Sequence, residues 1–158
     1  VSDYAPRLVR WLLDQPLDAV AKRPTVTARA VSAVKKLRVG LSEVQRAAKL
    51  TDDGIVVFDI NQASAHIPRY GAYHFFPRAR YSVGLVRRGS EAKVTAMRNP
   101  WMHFNSVPLG GLMARHGGGG HHRVASVVLK GGDTARATSV FNRVLADIRR
   151  SERQLRSM

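Results

Sequence analysis

The chain has 158 residues and is 44% hydrophobic, enough for one ordinary domain with a true core and too apolar for wholesale disorder. Lysine and arginine number 26 against 11 aspartates and glutamates, a formal net charge of +15, which favours a polyanionic partner: nucleic acid, nucleotide, polyphosphate or an acidic membrane face. There is no cysteine, so disulfides and thiolate metal sites are excluded and a reducing cytoplasm is the expected location; no apolar run approaches the ~20 residues that span a bilayer, and no signal-peptide pattern opens the chain.

In chain order, Asp3 to Gln15 sets Tyr4, Leu8, Trp11 and Leu12 on one stripe, the pattern of an amphipathic helix. Pro16 can open a short second helix to Arg23, and Pro24 ends it. A long helix is expected from about Val26 to Leu50. Its Ala30, Val34, Leu37, Leu41, Val44 and Ala48 form a heptad-like seam, flanked by Gly40. Such a seam calls for a partner: another helix of this chain, a second subunit in a homodimer, or a domain outside these residues. Asp52-Asp53-Gly54 stops the helix, and Ile55 to Ile60 reads as a buried strand. Pro68 to Ala79 suggests a short buried helix carrying Tyr70, Tyr73, Phe75 and Phe76.

Two alternating runs follow, Tyr81 to Leu85 and Lys93 to Ala96. Arg87-Arg88-Gly89-Ser90 between them is a turn signal, so a β-hairpin is expected, ended by Asn99-Pro100. Leu109 to His116 reads as a short helix and Val124 to Leu129 as the last strand. Asp133 can cap a final helix from about Thr134 to beyond Arg150, with Val140, Phe141, Val144, Leu145 and Ile148 inward. The order defines an α+β fold: a small mixed sheet with flanking helices, preceded by a helical arm containing one long helix. The expected division is residues 1–53 for the arm and 54–158 for the sheet domain.

Between the short helix and the last strand lies Arg115-His116-Gly117-Gly118-Gly119-Gly120-His121-His122-Arg123. A flexible tether would sit at a boundary, padded with polar residues. Four glycines inside folded-looking sequence, flanked by basic and imidazole side chains, instead suggest a backbone nest for a phosphate. The plainer alternative is a loop that needs several positive φ angles. The run lacks the Gly-Lys-Ser/Thr ending of a nucleotide-binding P-loop and follows a helix rather than a strand. Adjacent histidines with no carboxylate within ten residues make a poor metal site, so no metal ligand is assigned. Charge supports the same location: residues 1–53 hold 10 basic and 6 acidic side chains, net +4, and residues 54–158 hold 16 and 5, net +11. Arg98, at a strand end, can aim at the glycines, and Trp101 can stack on a base, although a tryptophan more often belongs to a core. No paired carboxylates and no activated nucleophile stand out, so no catalytic residue is assigned.

The stretches Met97-Arg98-Asn99-Pro100-Trp101 and Val107 to Ser126 resemble the C-terminal DHH-associated domain of the DHH phosphoesterase superfamily. That superfamily includes RecJ-type exonucleases, nanoRNases, cyclic-dinucleotide phosphodiesterases and exopolyphosphatase-like proteins. The shared pattern is LxxLAxxxGGGGHxxAxG, preceded by a strand ending in arginine. Tyr70 to Leu85, with Phe75-Phe76-Pro77-Arg78-Ala79, is most similar to the exopolyphosphatase-like or oligoribonuclease-like branch. The likeness covers roughly Ile55 to Ile148. It implies that Gly118, Gly119, Gly120 and His121 contact a substrate phosphate or terminal nucleotide and that Arg98 holds a phosphate. Arg123 is added from its position alone. Ser126 departs from the pattern, which has glycine there.

The resemblance further implies a catalytic DHH domain of the same polypeptide with a manganese pair. No Asp-His-His occurs here, and the chain opens on Val, so that domain is expected in preceding sequence. The expected function is binding of a short oligonucleotide or nucleotide phosphoester by the substrate-binding part of a phosphoesterase, inactive alone. The alternatives are a stand-alone basic nucleic-acid-binding module and a dimerisation or regulatory domain.

Overall fold

The computed structural model describes residues 3–64 and 66–157. They form α1 (Tyr4–Asp14), α2 (Leu17–Ala21), α3 (Pro24–Ala47), β1 (Lys49–Leu50), β2 (Ile55–Ile60), α4 (Gly71–Phe75), β3 (Tyr81–Arg88), β4 (Glu91–Arg98), α5 (Leu109–Ala114), β5 (Gly119–Gly120), β6 (Val124–Lys130) and α6 (Thr134–Arg156). This is an α+β fold with a six-stranded mixed sheet, flanking helices and a long helix near the N-terminus. No described helix is long and apolar enough to cross a membrane.

The chain divides into two compact units, residues 1–38 and 39–158. In the first, Val20 is buried, Arg23 stacks on the Trp11 ring at 4.3 Å and donates to Gln15 Oε1, and Arg29 stacks on Tyr4 at 3.9 Å. Leu12, Leu13, Leu17, Val31, Val34 and Leu37 are exposed.

The second unit contains the sheet, in the order β1-β2-β3-β4-β6-β5; β2 and β3 are parallel and all other pairs antiparallel. Successive residues of a strand point to opposite faces, so each strand serves two environments. One face carries Tyr81, Val83, Leu85, Val94, Ala96, Ala125 and Val127 against Leu109, Leu112 and Met113 of α5 and Ala137, Val140, Val144 and Ile148 of α6. The spacing of those α6 residues keeps them on one helix side, and the Asp133 carboxylate caps the helix by accepting from the Arg136 N–H at 2.8 Å. On the opposite face Val56, Ile60 and Met97 pack with Val44 and Ala48 from the end of α3 and with Ala72 and Tyr73 of α4.

The heptad-like seam therefore changes character along α3: Ala30, Val34 and Leu37 are exposed, whereas Val44 and Ala48 are buried on the sheet. The helix also ends earlier than its periodicity suggests. Lys49 and Leu50 leave it to pair with Val57 and Val56, after which Gly54 takes the left-handed turn (φ +80°) into β2.

Buried polar groups tie α6 to the sheet. Glu152 pairs with Arg80 at 2.9 Å and accepts from the Tyr81 hydroxyl at 2.5 Å; that hydroxyl accepts in turn from the Val107 N–H at 2.9 Å. Burial, together with the Glu152 carboxylate that takes its hydrogen bond, pushes the Tyr81 phenol well above its ordinary pKa.

Candidate functional site

The four glycines do not act as one unit. Gly117, with φ +80°, and Gly118 terminate α5: the Gly117 N–H donates to the Ala114 carbonyl at 3.1 Å and the Gly118 N–H to the Met113 carbonyl at 3.0 Å. Gly119 and Gly120 form β5, which pairs with Ser126 and Ala125 of β6. The His121 N–H donates to the Val124 carbonyl at 2.8 Å and closes the hairpin. Most of these amides are thus engaged in backbone structure, and the expected nest of four open N–H groups does not form.

What remains is a question of missing side chains. A Cβ on Gly118 would lie 2.3 Å from the Ser126 carbonyl oxygen, and one on Gly120, at φ +147°, would lie 2.5 Å from the Ala125 Cα. Packing alone demands glycine at both. Gly119 is different: its φ is unexceptional and nothing stands within 4 Å of a Cβ built there. That bare position opens onto a groove of about 470 Å³ on the sheet face away from α5 and α6.

Strand register explains the groove. Phe58, Gly84, Thr95, Ser126 and Gly119 are successive cross-strand partners on β2, β3, β4, β6 and β5. Paired residues share a face, so four of these five small or short side chains make a trough across the sheet. On one side runs the row Val56, Ser82, Met97, Val124; on the other, Ile60, Val86, Lys93, Val128. The floor offers the hydroxyls of Thr95 and Ser126. Cationic groups stand at the rim: exposed Lys93, with Arg69 and Arg88, against one carboxylate, Glu91; the His66 imidazole lies beside them. Hydroxyl donors, a local cationic excess and open space beside bare backbone suit a phosphate.

The other sequence-assigned residues lie elsewhere. Arg98 is 7% exposed; its guanidinium donates to the carbonyls of Met102 at 2.7 Å and Phe104 at 3.2 Å and stacks on the Phe104 ring at 4.5 Å. It orders the loop after β4 and does not line the trough. His121 and Arg123 are exposed on the β5–β6 connection, where the Arg123 carbonyl accepts from the Arg98 N–H at 2.9 Å. Trp101 is 67% exposed and meets Tyr70 edge-on at 5.3 Å, outside the trough lining. His116 turns to Asp147 at 3.0 Å and so joins α5 to α6. The residues that sequence reading missed are Lys93, Thr95, Ser126, Arg69 and Arg88. The available signal was the polar and small character of alternate positions in the two central strands.

A second hollow of about 480 Å³ lies at the tip of the β3–β4 hairpin. There Arg87 is already held by Asp59 and by Thr138, and the lining carries two carboxylates, Asp133 and Glu91, where the trough has Glu91 alone. Among the described residues no three His, Asp or Glu side chains converge where they could hold a metal ion. These residues do not fit a manganese pair.

Neither a family model nor a curated protein sequence matches the chain. Solved structures do. A pGpG-specific phosphodiesterase, PggH from Vibrio cholerae, superposes with a TM-score of 0.71 at 19% identity, over 93% of this chain and 52% of that one. An exopolyphosphatase-related protein from Bacteroides fragilis superposes with a TM-score of 0.51 at 17% identity, over 71% of this chain and 34% of that one. The chain therefore shares a fold with part of each, and it spans about half the length of the first and a third of the second.

Proposed function

We propose that this chain binds the phosphate of a short oligonucleotide or nucleotide in the trough, as the substrate-binding part of a DHH-type phosphoesterase. The metal-bearing catalytic domain belongs to other sequence of the same polypeptide. Gly119 carries this reading: it is the one member of the glycine run that neither backbone angle nor packing requires, and it borders a cationic, hydroxyl-floored trough. The fold shared with a phosphodiesterase and an exopolyphosphatase-related protein supports it, as does the +15 net charge. In this reading the grip comes chiefly from Lys93, Thr95 and Ser126, with Gly119 and Gly120 leaving room for the anion. His121 and Arg123 sit at the neighbouring hairpin, where a longer strand can meet them.

The test is calorimetric titration of the 158-residue chain with a terminally phosphorylated short RNA. Gly119→Leu projects a side chain into the trough without touching the fold, so affinity should fall about tenfold or more while the melting temperature holds. Added manganese should bring no hydrolysis. Undiminished affinity in Gly119→Leu, or turnover by the chain itself, overturns the proposal. Salt-sensitive binding of long RNA that ignores Gly119→Leu would instead identify a stand-alone basic nucleic-acid-binding module.

A further inference from the structure

One wall of the trough belongs to no strand. The connection from β2 to α4 supplies it, through His66, Ile67, Pro68 and Arg69. The connection starts beside the β3–β4 hairpin, where the Ala63 N–H donates to the Arg87 carbonyl at 2.9 Å and Arg88 Nε donates to the Ala63 carbonyl at 3.2 Å. It finishes at the far end of β4, where Tyr70 meets Trp101 and the Tyr73 hydroxyl donates to the Met97 carbonyl at 2.6 Å. Arg69 thus enters beside the row Val56, Ser82, Met97, Val124, in which the strands supply no charge. It is exposed and, among the described residues, pairs with no carboxylate, unlike Arg80 with Glu152 or Arg87 with Asp59.

Two residues of α3 seat this connection without lining the trough themselves. Glu43 is buried and accepts from the Ser64 N–H at 2.9 Å and from the Ser64 hydroxyl. Gly40 lies inside the helix, where glycine is a poorer residue than alanine. The reason is close approach: a Cβ there would lie 2.3 Å from the His66 carbonyl oxygen and 2.8 Å from Pro68 Cδ. The helix forgoes some of its own stability to keep this backbone against it, and the seated stretch leads straight into Arg69.

We propose that Arg69 is a further phosphate-binding residue of the trough, gripping the anion from the side opposite Lys93, and that Glu43 and Gly40 are positioning residues that act through it. This rests on the phosphate site beside Gly119. Lys93, Thr95 and Met97 are alternate residues of β4 and share a face, so the Thr95 hydroxyl and its cross-strand partner Ser126 lie between the two cations. An anion held from both sides keeps its oxygens over those hydroxyls. Charge-assisted hydrogen bonds from a guanidinium suit a phosphate in such a place.

Calorimetric titration with the terminally phosphorylated short RNA tests this. Arg69→Gln should weaken binding about tenfold, the worth of one hydrogen bond to a charged group, with the melting temperature unchanged. Glu43→Ala should weaken it by a similar factor and speed hydrogen exchange at His66 to Arg69 while β4 and β6 stay protected. Glu43→Gln keeps an oxygen for Ser64 and should restore most of the affinity. The deciding arm is the double variant: in an Arg69→Gln background, Glu43→Ala should cost no further affinity, because the guanidinium that carries its effect is already gone. Gly40→Ala pushes on the same connection independently and should be equally silent in that background. Wild-type affinity in Arg69→Gln or in Glu43→Ala, or losses that multiply in the double variant, overturn the inference; if Gly119→Leu still weakens binding, the phosphate site stands without Arg69. If Gly119→Leu binds as the wild type does, the site itself falls, and Arg69 with it.

Discussion

The two faces of the sheet are built from the same strands and follow opposite rules. Toward α5 and α6, every other residue is apolar, and Val83, Leu85, Val94 and Ala96 are fully buried. Toward the trough, their immediate neighbours are Ser82, Gly84, Lys93 and Thr95. Full burial of a Val or Leu side chain stabilises by about 1.5–3 kcal/mol, so the first face is explained by stability alone. The second face forgoes that gain in its central strands. Its composition makes sense when something other than the fold occupies the space.

Substitutions on the two faces should separate stability from binding. The largest stability change is expected for Leu85→Ala on the closed face, a loss of about 2–5 kcal/mol in urea unfolding with affinity per folded molecule unchanged. A loss below about 1 kcal/mol would mean that this face is not the core. Glu152→Gln removes the charge that holds Arg80 and Tyr81 and should cost about 3 kcal/mol by the same assay. Across the sheet, Thr95→Val should leave stability nearly unchanged and weaken the short phosphorylated RNA about tenfold, the worth of a hydrogen bond to a charged group. Lys93→Gln should reduce the salt slope of binding by about 0.7 per decade, one phosphate contact on a single strand; an unchanged slope removes Lys93 from the site.

The smallest effect concerns acid. Burial alone would raise the Asp53 carboxyl, but hydrogen bonds from Thr51 and Arg149 and the Arg149 charge hold it below the ordinary aspartate range. A depressed folded-state pKa contributes stability above the unfolded value, lost as pH falls through the folded one. Asp53→Asn should flatten this part of the acid limb of a stability–pH curve and leave neutral-pH binding unaltered.

Most of the fold was legible because its larger elements advertise a period. Alternation marks β3 and β4, short apolar runs mark β2 and β6, and the 3.6-residue repeat marks α6. The two-residue strands had no such signal. Lys49-Leu50 continues a helical pattern, and Gly119-Gly120 has low strand propensity; both are strands only because a neighbour pairs with them. The site was half legible for the same reason. The glycines drew attention, but their division between helix stop and edge strand depends on contacts with Met113 and Ser126. The trough depends on register. A four-residue turn at Arg87 to Ser90 would pair Gly84 with Lys93; the actual two-residue turn at Gly89-Ser90 pairs it with Thr95 and so aligns the small residues. Arg98 was placed correctly at a strand end, yet its direction follows from the carbonyls of Met102 and Phe104, which no local pattern encodes.

Ser126, where the resembling pattern has glycine, contributes a hydroxyl to the trough floor.

The Glu152 link has a consequence for biosynthesis. Glu152 lies 71 residues downstream of Tyr81. At about 5–20 residues per second, the ribosome releases the β3 strand several seconds before the helix that completes its hydrophobic layer. During that interval the nascent sheet offers an oily, unfinished side to chaperones and to other nascent chains, and emergence of the final helix is the event that ends the exposure.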